Sequence, residues 1–254
     1  QEVYDLAGSI YYNSYWGYQD GKVRNSRVVK SFDPTVILSH DFKIDEKKRL
    51  RSGIAYHYSL YSNSALTFYN APDPRPDYYR DLPSFWPDAE MKERLTNSWL
   101  QDESVRQINW AELYLENAKN TNGNAKYAVE RRHNNLSELA FNSTFTNEIT
   151  KKFRLTAGVE FKKSKGMHYK TMEDLLGASQ WVDIDQFAER DFPANPDIIQ
   201  NDVRNPNRSI GEGDVFGYNY DINLTHANIF LQNEWTFDRL EVNYAAKLTY
   251  TEFF

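Results

Sequence analysis

Short and long connections alternate along this chain, and few folds permit that. Six runs show the period-two pattern of a β-strand, at 35–44, 50–60, 139–149, 153–162, 220–237 and 240–251. The last run, LEVNYAAKLTY, is the clearest. Leu240, Val242, Tyr244, Ala246, Leu248 and Tyr250 share one parity, and Glu241, Asn243, Ala245, Lys247 and Thr249 the other. Successive strand residues point to opposite faces, so the run has one apolar and one mostly polar face. Three connections are short and charged: DEKKR at 45–49, TKK at 150–152, and Asp238-Arg239. The others, 1–34, 62–134 and 164–218, run to tens of residues. In a meander this sets every short turn on one side and every long loop on the other. Outer-membrane barrels are built this way, with short periplasmic turns and long extracellular loops.

The remaining runs repeat the pattern. Val36, Leu38, Phe42 and Ile44 lie opposite Ser39, Asp41 and Lys43, and Leu50, Ile54, Tyr56, Tyr58 and Leu60 oppose Arg51, Gly53 and His57. Leu139, Phe141, Phe145 and Ile149 oppose Asn142, Thr144 and Thr146, and Phe153, Leu155, Ala157, Val159 and Phe161 oppose Arg154, Thr156, Glu160 and Lys162. Near His226 the apolar parity switches from Ile222 and Leu224 to Ala227, Ile229, Leu231 and Trp235. That switch predicts a bulge, or a crossing from loop-borne extension to membrane strand.

The long stretches read as structured loops, because they are rich in aromatic and apolar residues. APDPRPDYYRDLPSFWPD packs five prolines into 18 residues and cannot join a regular ladder. Trp110, Leu113 and Tyr114 are at helical spacing, and MEDLLGASQWVDIDQFAERDF reads as partly helical. Residues 1–27 read as a loop with a turn at Asp20-Gly21.

Composition agrees with this all-β reading. The net charge of -6 argues against a general nucleic-acid binder. With no cysteine there is neither a disulfide framework nor a Cys metal site. The mean hydropathy is -0.76 and no run approaches 18 apolar residues, which excludes a helical membrane protein but not a β-barrel. The start, QEVYDLAGSI, is not a signal peptide, so the chain reads as a mature form or a piece of something longer. Six strands fall short of the eight with which single-chain barrels begin, and open edges are not tolerated in lipid. The expectation is an interior slice of a larger antiparallel transmembrane β-barrel, with Glu252 marking the ending at Phe254 as a truncation.

Several unusual strings occur in order: YYNSYWGYQDGKVRNSR, VILSHDFKID, NAPDPRPDYYRDLPSF, INWAELY, DLLGASQWVDIDQFAERDFP, NDVRNPNR and VFGYNYD. On these the chain resembles TonB-dependent outer-membrane receptors, specifically large ones related to the starch-utilisation outer-membrane porter. The resemblance covers nearly the whole chain and is not specific for a substrate. It implies a barrel of about 22 strands filled by a plug. It also implies import of a nutrient, driven by an inner-membrane TonB complex and often aided by a surface lipoprotein. Neither plug nor TonB box lies within these residues, so both, like the remainder of the barrel, are expected as partners outside them. The expected location is the bacterial outer membrane, in contact with its lipid.

No catalytic constellation stands out. His40, His57, His133, His168 and His226 lack partners at metal-ligand spacing, and no HExxH, GxSxG or phosphate loop is present. The expectation is therefore a non-enzyme without a cofactor. Asp183 and Asp185 could gather oxygens around calcium, although the spacing lacks the glycine and closing glutamate of a calcium loop. The loop aromatics Trp16, Tyr18, Tyr78, Tyr79, Trp86, Trp99, Trp110 and Trp181 are candidate ligand contacts. Flat rings beside Asp, Asn and Arg suit a sugar or peptide; the alternative is that they pack the loops. Two rival functions remain open: a structural or docking barrel in an outer-membrane assembly, and a soluble β-rich carbohydrate-binding module.

Overall fold

A computed structural model describes residues 1–254. In chain order the elements are α1 (Glu2–Ala7), β1 (Trp16–Gln19), β2 (Lys22–Asn25), β3 (Val29–Phe32), β4 (Thr35–Lys43) and β5 (Lys48–Phe68). Then come α2 (Ala89–Gln101), α3 (Trp110–Ala118), β6 (Tyr127–Thr150), β7 (Phe153–Asp174) and β8 (Trp181–Val182). The chain ends with α4 (Gln186–Asp191), β9 (Ser209–Ile210), β10 (Val215–Thr236) and β11 (Glu241–Phe253). Short 3-10 turns occupy Tyr79–Asp81, Pro83–Phe85 and Glu103–Arg106. The protein is mostly β, and no helix is long and apolar enough to cross a membrane.

The chain divides into two compact units. A sheet unit comprises Lys30–Ser62, His133–His168 and Asn219–Phe254; a loop unit comprises Gln1–Val29, Asn63–Arg132 and Tyr169–Tyr218. The main sheet has the order β11-β10-β7-β6-β5-β3, with β4 also on β5. Sequence neighbours are therefore sheet neighbours, and the sheet is open rather than closed. β3 and β4 are one edge interrupted at Asp33-Pro34, where proline has no N–H to donate.

Local chemistry makes the three tight turns. Asp45 accepts from the amides of Lys47 and Lys48, both at 2.8 Å. The Thr150 hydroxyl accepts from the Lys152 amide at 3.2 Å, and the Phe237 amide donates to the Leu240 carbonyl at 2.7 Å. β10 and β11 then pair without a break from Leu224↔Phe253 to Thr236↔Glu241. No bulge interrupts that ladder at His226, which corrects the first of the two expectations there. The strand instead continues, and the composition of its faces changes: His168 stacks on Tyr220 at 5.1 Å, on the parity that carries Asn228 and Glu234 further along.

Within the sheet unit the usual inside-out order of a soluble protein is reversed. Val36, Leu38, Ile54, Leu139, Val159, Ile229, Leu231 and Leu248 are exposed, Leu248 by 71%. Apart from Gly158, the residues buried there are polar: Ser62, Asn135, Ser164, Asn228 and Asn233. The opposite parity carries charges. Arg154 pairs with Glu148 at 3.1 Å and Glu234 at 3.3 Å, and Lys247 lies 3.9 Å from Glu160.

Every buried apolar residue belongs to the loop unit. One cluster gathers Ala125, Ala128, Met172, Leu175, Trp181, Ile210 and Phe216; the other gathers Ile108, Trp110, Leu113, Tyr127, Val129 and Leu176. Asn117 of α3 serves this core with its whole amide. It donates to the carbonyls of Tyr127, Leu175 and Leu176 at 2.8–3.1 Å. It accepts from the amides of Lys126 and Tyr127 at 2.8 and 3.0 Å. Gly17 is needed where β1 passes Ile108, because a Cβ there would lie 1.9 Å from the Ile108 carbonyl oxygen.

The strands outrun their sequence signal. Alternation marks 50–60, 139–149 and 153–162, whereas β5 continues to Phe68, β6 begins at Tyr127 and β7 ends at Asp174. The added ends include Ala128, Val129, Glu130 and Arg131, all buried. A strand buried on both faces loses its period-two pattern, so these ends look like loop. Residues 1–27, read as loop, also hold α1 and the β1–β2 hairpin, whose turn at Asp20-Gly21 has positive φ at both positions.

Candidate functional site

The eight aromatic candidates separate by burial. Trp99, Trp110 and Trp181 are 1%, 0% and 7% exposed, and Trp110 and Trp181 have no face left for a ligand. Trp110 lies under the Arg24 guanidinium at 4.1 Å and Trp181 packs in the first cluster, so these two pack the loops, while Trp99 meets Tyr12 edge-on at 5.7 Å. Trp16 meets Tyr18 edge-on at 5.6 Å, and Tyr18 is exposed. Tyr78, Tyr79, Phe85 and Trp86 form a chain of edge-to-face contacts at 4.8, 5.4 and 5.7 Å. Tyr79, Phe85 and Trp86 keep exposed surface.

That chain is the proline-rich stretch, and its shape follows from its residues. Proline fixes φ and removes amide donors, so the backbone folds as two 3-10 turns instead of a strand. Asp88 then caps α2 by accepting from the Met91 amide at 2.8 Å. Between this stretch and α2 lies a cavity of about 480 Å³, within the range of ligand pockets. Its lining includes Trp86, Met91, Leu95 and Trp99, together with Arg75, Arg80, Arg94, Asp73 and Asp81.

The charges there are not evenly matched. Arg75 and Asp73 satisfy each other through a two-pronged contact at 2.6–3.2 Å. Arg80 and Arg94 form no ion pair. Arg80 donates to the Tyr79 hydroxyl at 2.9 Å, which holds that phenol below its usual range. Arg94 touches the Met91 sulfur at 3.0 Å. Burial, then the nearby Asp73 charge, raises the Asp81 carboxyl above the usual carboxylate range. The indole of Trp86 is held in place by its N–H donating to the Arg80 carbonyl at 3.0 Å. An anchored ring beside two uncompensated guanidinium groups can stack on a flat ligand and hold an anion.

A second hollow of about 520 Å³ lies on the charged face of the sheet unit, lined by Lys43, Arg49, Arg51, Glu148, Arg154 and Glu234 among others. It has no aromatic platform and its charges neighbour one another.

Asp183 and Asp185 do not form a cation cage. Asp183 is buried, and its oxygens accept from Asn201, Arg208 and the Gly217 amide at 2.8–2.9 Å. Asp185 caps α4 through the Phe187 and Ala188 amides. Backbone, asparagine and arginine donors thus take both Asp183 oxygens and one Asp185 oxygen, and no group of three or more His, Asp or Glu side chains gathers to hold a metal ion. Sequence reading passed over Arg75, Arg80, Arg94 and Asp81. For Arg75 and Arg80 the signal was arginine interleaved with proline and tyrosine in PDPRPDYYR; Asp81 and Arg94 lie beyond it. No family model matches the chain, and no curated protein matches it.

Proposed function

We propose that this chain forms part of the wall and outer loops of a TonB-dependent outer-membrane transporter. Its cargo is a bulky nutrient, an oligosaccharide or peptide. The observation that carries the reading is the reversed sheet unit, with its large aliphatic side chains exposed and its buried side chains polar. In water such a face is a liability, because large exposed apolar patches mark contact with protein or lipid. Against hydrocarbon the same face is the favourable one. Strand length supports this too. β11 has 13 residues, or about 43 Å at the ordinary rise. Tilted by about 45°, it spans roughly 30 Å, the thickness of a hydrocarbon core.

In this reading the short turns face the periplasm, and the long connections face outward and bind cargo. The open strands β11 and β3–β4 pair with further strands of a larger barrel, since unpaired edges are not sustained in lipid. A plug, a TonB complex and a surface lipoprotein are the partners such a transporter requires or commonly uses. The task is binding and passage, with no covalent step. A soluble carbohydrate-binding module would instead bury one face of its sheet.

The test is detergent phase partition of the full-length protein, with gel mobility before and after boiling. Partition into detergent and a heat-dependent mobility shift are expected. A protein that stays in the aqueous phase and shows no shift would overturn the reading.

A further inference from the structure

We propose that the cavity between the proline-rich stretch and α2 takes an acidic sugar unit. Its ring lies on Trp86, and its carboxylate or sulfate is held by Arg80 and Arg94. The inference rests on the reading of the chain as a nutrient receptor and narrows its cargo.

The argument begins with charge. Five ionisable side chains line the cavity. Asp73 is consumed by Arg75. Asp81 lines the cavity and forms no ion pair, its carboxyl raised above the usual range by burial and then by Asp73. Arg80 and Arg94 are therefore the guanidinium groups there with no carboxylate bonded to them. Neither is used to hold the fold through a carboxylate, and both sit at the cavity with free N–H groups. A guanidinium fork matches the paired oxygens of a carboxylate or sulfate better than it matches a hydroxyl.

Ring chemistry comes next. Trp86 is anchored at its nitrogen and its neighbour Phe85 packs edge-on at 5.7 Å, so the indole plane is set before a ligand arrives. Preset aromatic faces lower the ordering cost of binding. They suit the flat C–H face of a pyranose. A peptide is the weaker fit. Extended peptides dock by adding to a strand edge, and this cavity is lined by 3-10 turns and a helix, with no strand among its residues.

The test measures binding to the full-length protein in detergent by calorimetry. Four probes share a size class: a neutral oligosaccharide, its uronate counterpart, its sulfate ester, and an acidic tripeptide. The uronate or the sulfate ester is expected to bind at least tenfold more tightly than the neutral sugar, with affinity falling as salt rises. Which of the two wins identifies the anion. Arg80→Gln combined with Arg94→Gln should abolish the preference, Arg94→Lys should retain part of it, and Trp86→Ala should weaken all sugars. Gel mobility before boiling reports whether each variant is folded.

The proposal is overturned if no acidic sugar binds, if the neutral sugar or the tripeptide binds as tightly, or if the preference survives in the double variant. Phase partition reads the transporter hypothesis separately. An aqueous protein that still prefers acidic sugars would sink the membrane reading and keep this site; a membrane protein without the preference would do the reverse.

Discussion

Leu248→Arg separates a lipid-facing sheet from a water-facing one. Leu248 is 71% exposed, sits on the apolar parity of β11 and pairs with Ile229. It lies seven residues past Glu241, the first residue of β11 after the tight turn. At about 3.3 Å per residue that is roughly 23 Å along the strand. At a tilt of about 45° it is roughly 16 Å along the membrane normal, a few ångströms from the middle of an apolar band about 25 Å tall. An arginine near that depth costs about 2–4 kcal/mol. In a soluble protein, a substitution at so exposed a position would change stability by no more than about 0.5 kcal/mol. The assay is denaturant-induced unfolding of the full-length protein in lipid vesicles, with the folded fraction read from unboiled gels. Lys247→Arg is the control, since Lys247 lies one residue away on the charged parity, near Glu160. The expected result is a loss of about 2–4 kcal/mol for Leu248→Arg and almost none for the control. Equal tolerance of both changes would refute the assignment of faces.

Asn117→Ala removes five hydrogen bonds that tie α3 to the strand ends. At about 1 kcal/mol net for each, the loss should be about 3–5 kcal/mol, seen as faster amide exchange in β6 and β7 near Tyr127 and Leu175. Gly17→Ala places a methyl 1.9 Å from the Ile108 oxygen, and limited proteolysis should find residues 1–29 released first. Unchanged proteolysis would mean that β1 does not run where it is placed. Asp81 has a raised carboxyl pKa, so its protonated form fits the fold better. Its stabilising share is complete below the unfolded-state pKa and fades as pH rises through the folded one. Asp81→Asn should therefore raise stability at neutral pH and flatten the pH dependence of acidic-sugar binding, which in the parent should strengthen as pH falls. Loss of stability at neutral pH in that variant would contradict the assignment.

The sheet was legible where one of its faces is apolar and the other polar or charged. LEVNYAAKLTY and its partners carry that contrast in every second residue. The three short turns were legible because Asp45, Thr150 and Asp238-Arg239 are turn chemistry acting over a few residues. The strand end around Val129 was not legible. Residues 127–131 are buried on both faces, and covering both faces erases the alternation. The aromatic candidates divide for a related reason. Trp99 in α2 and Trp86 before it are both tryptophans in a polar loop sequence, and only packing from distant segments, such as Tyr12 against Trp99, buries one and leaves the other exposed.

Residue order alone thus determined the meander, the placement of its short turns and the two-sided chemistry of its strands, because each depends on neighbours within a few positions. Tertiary structure decided which aromatics are core, which acids are spoken for and which arginines are left over. Asp73 and Asp81 look alike in sequence; one lies against Arg75 and the other beside buried surface with no cation of its own. That difference is set by burial and by partners brought together through folding, and pairing and burial are what decide the charge a cavity presents.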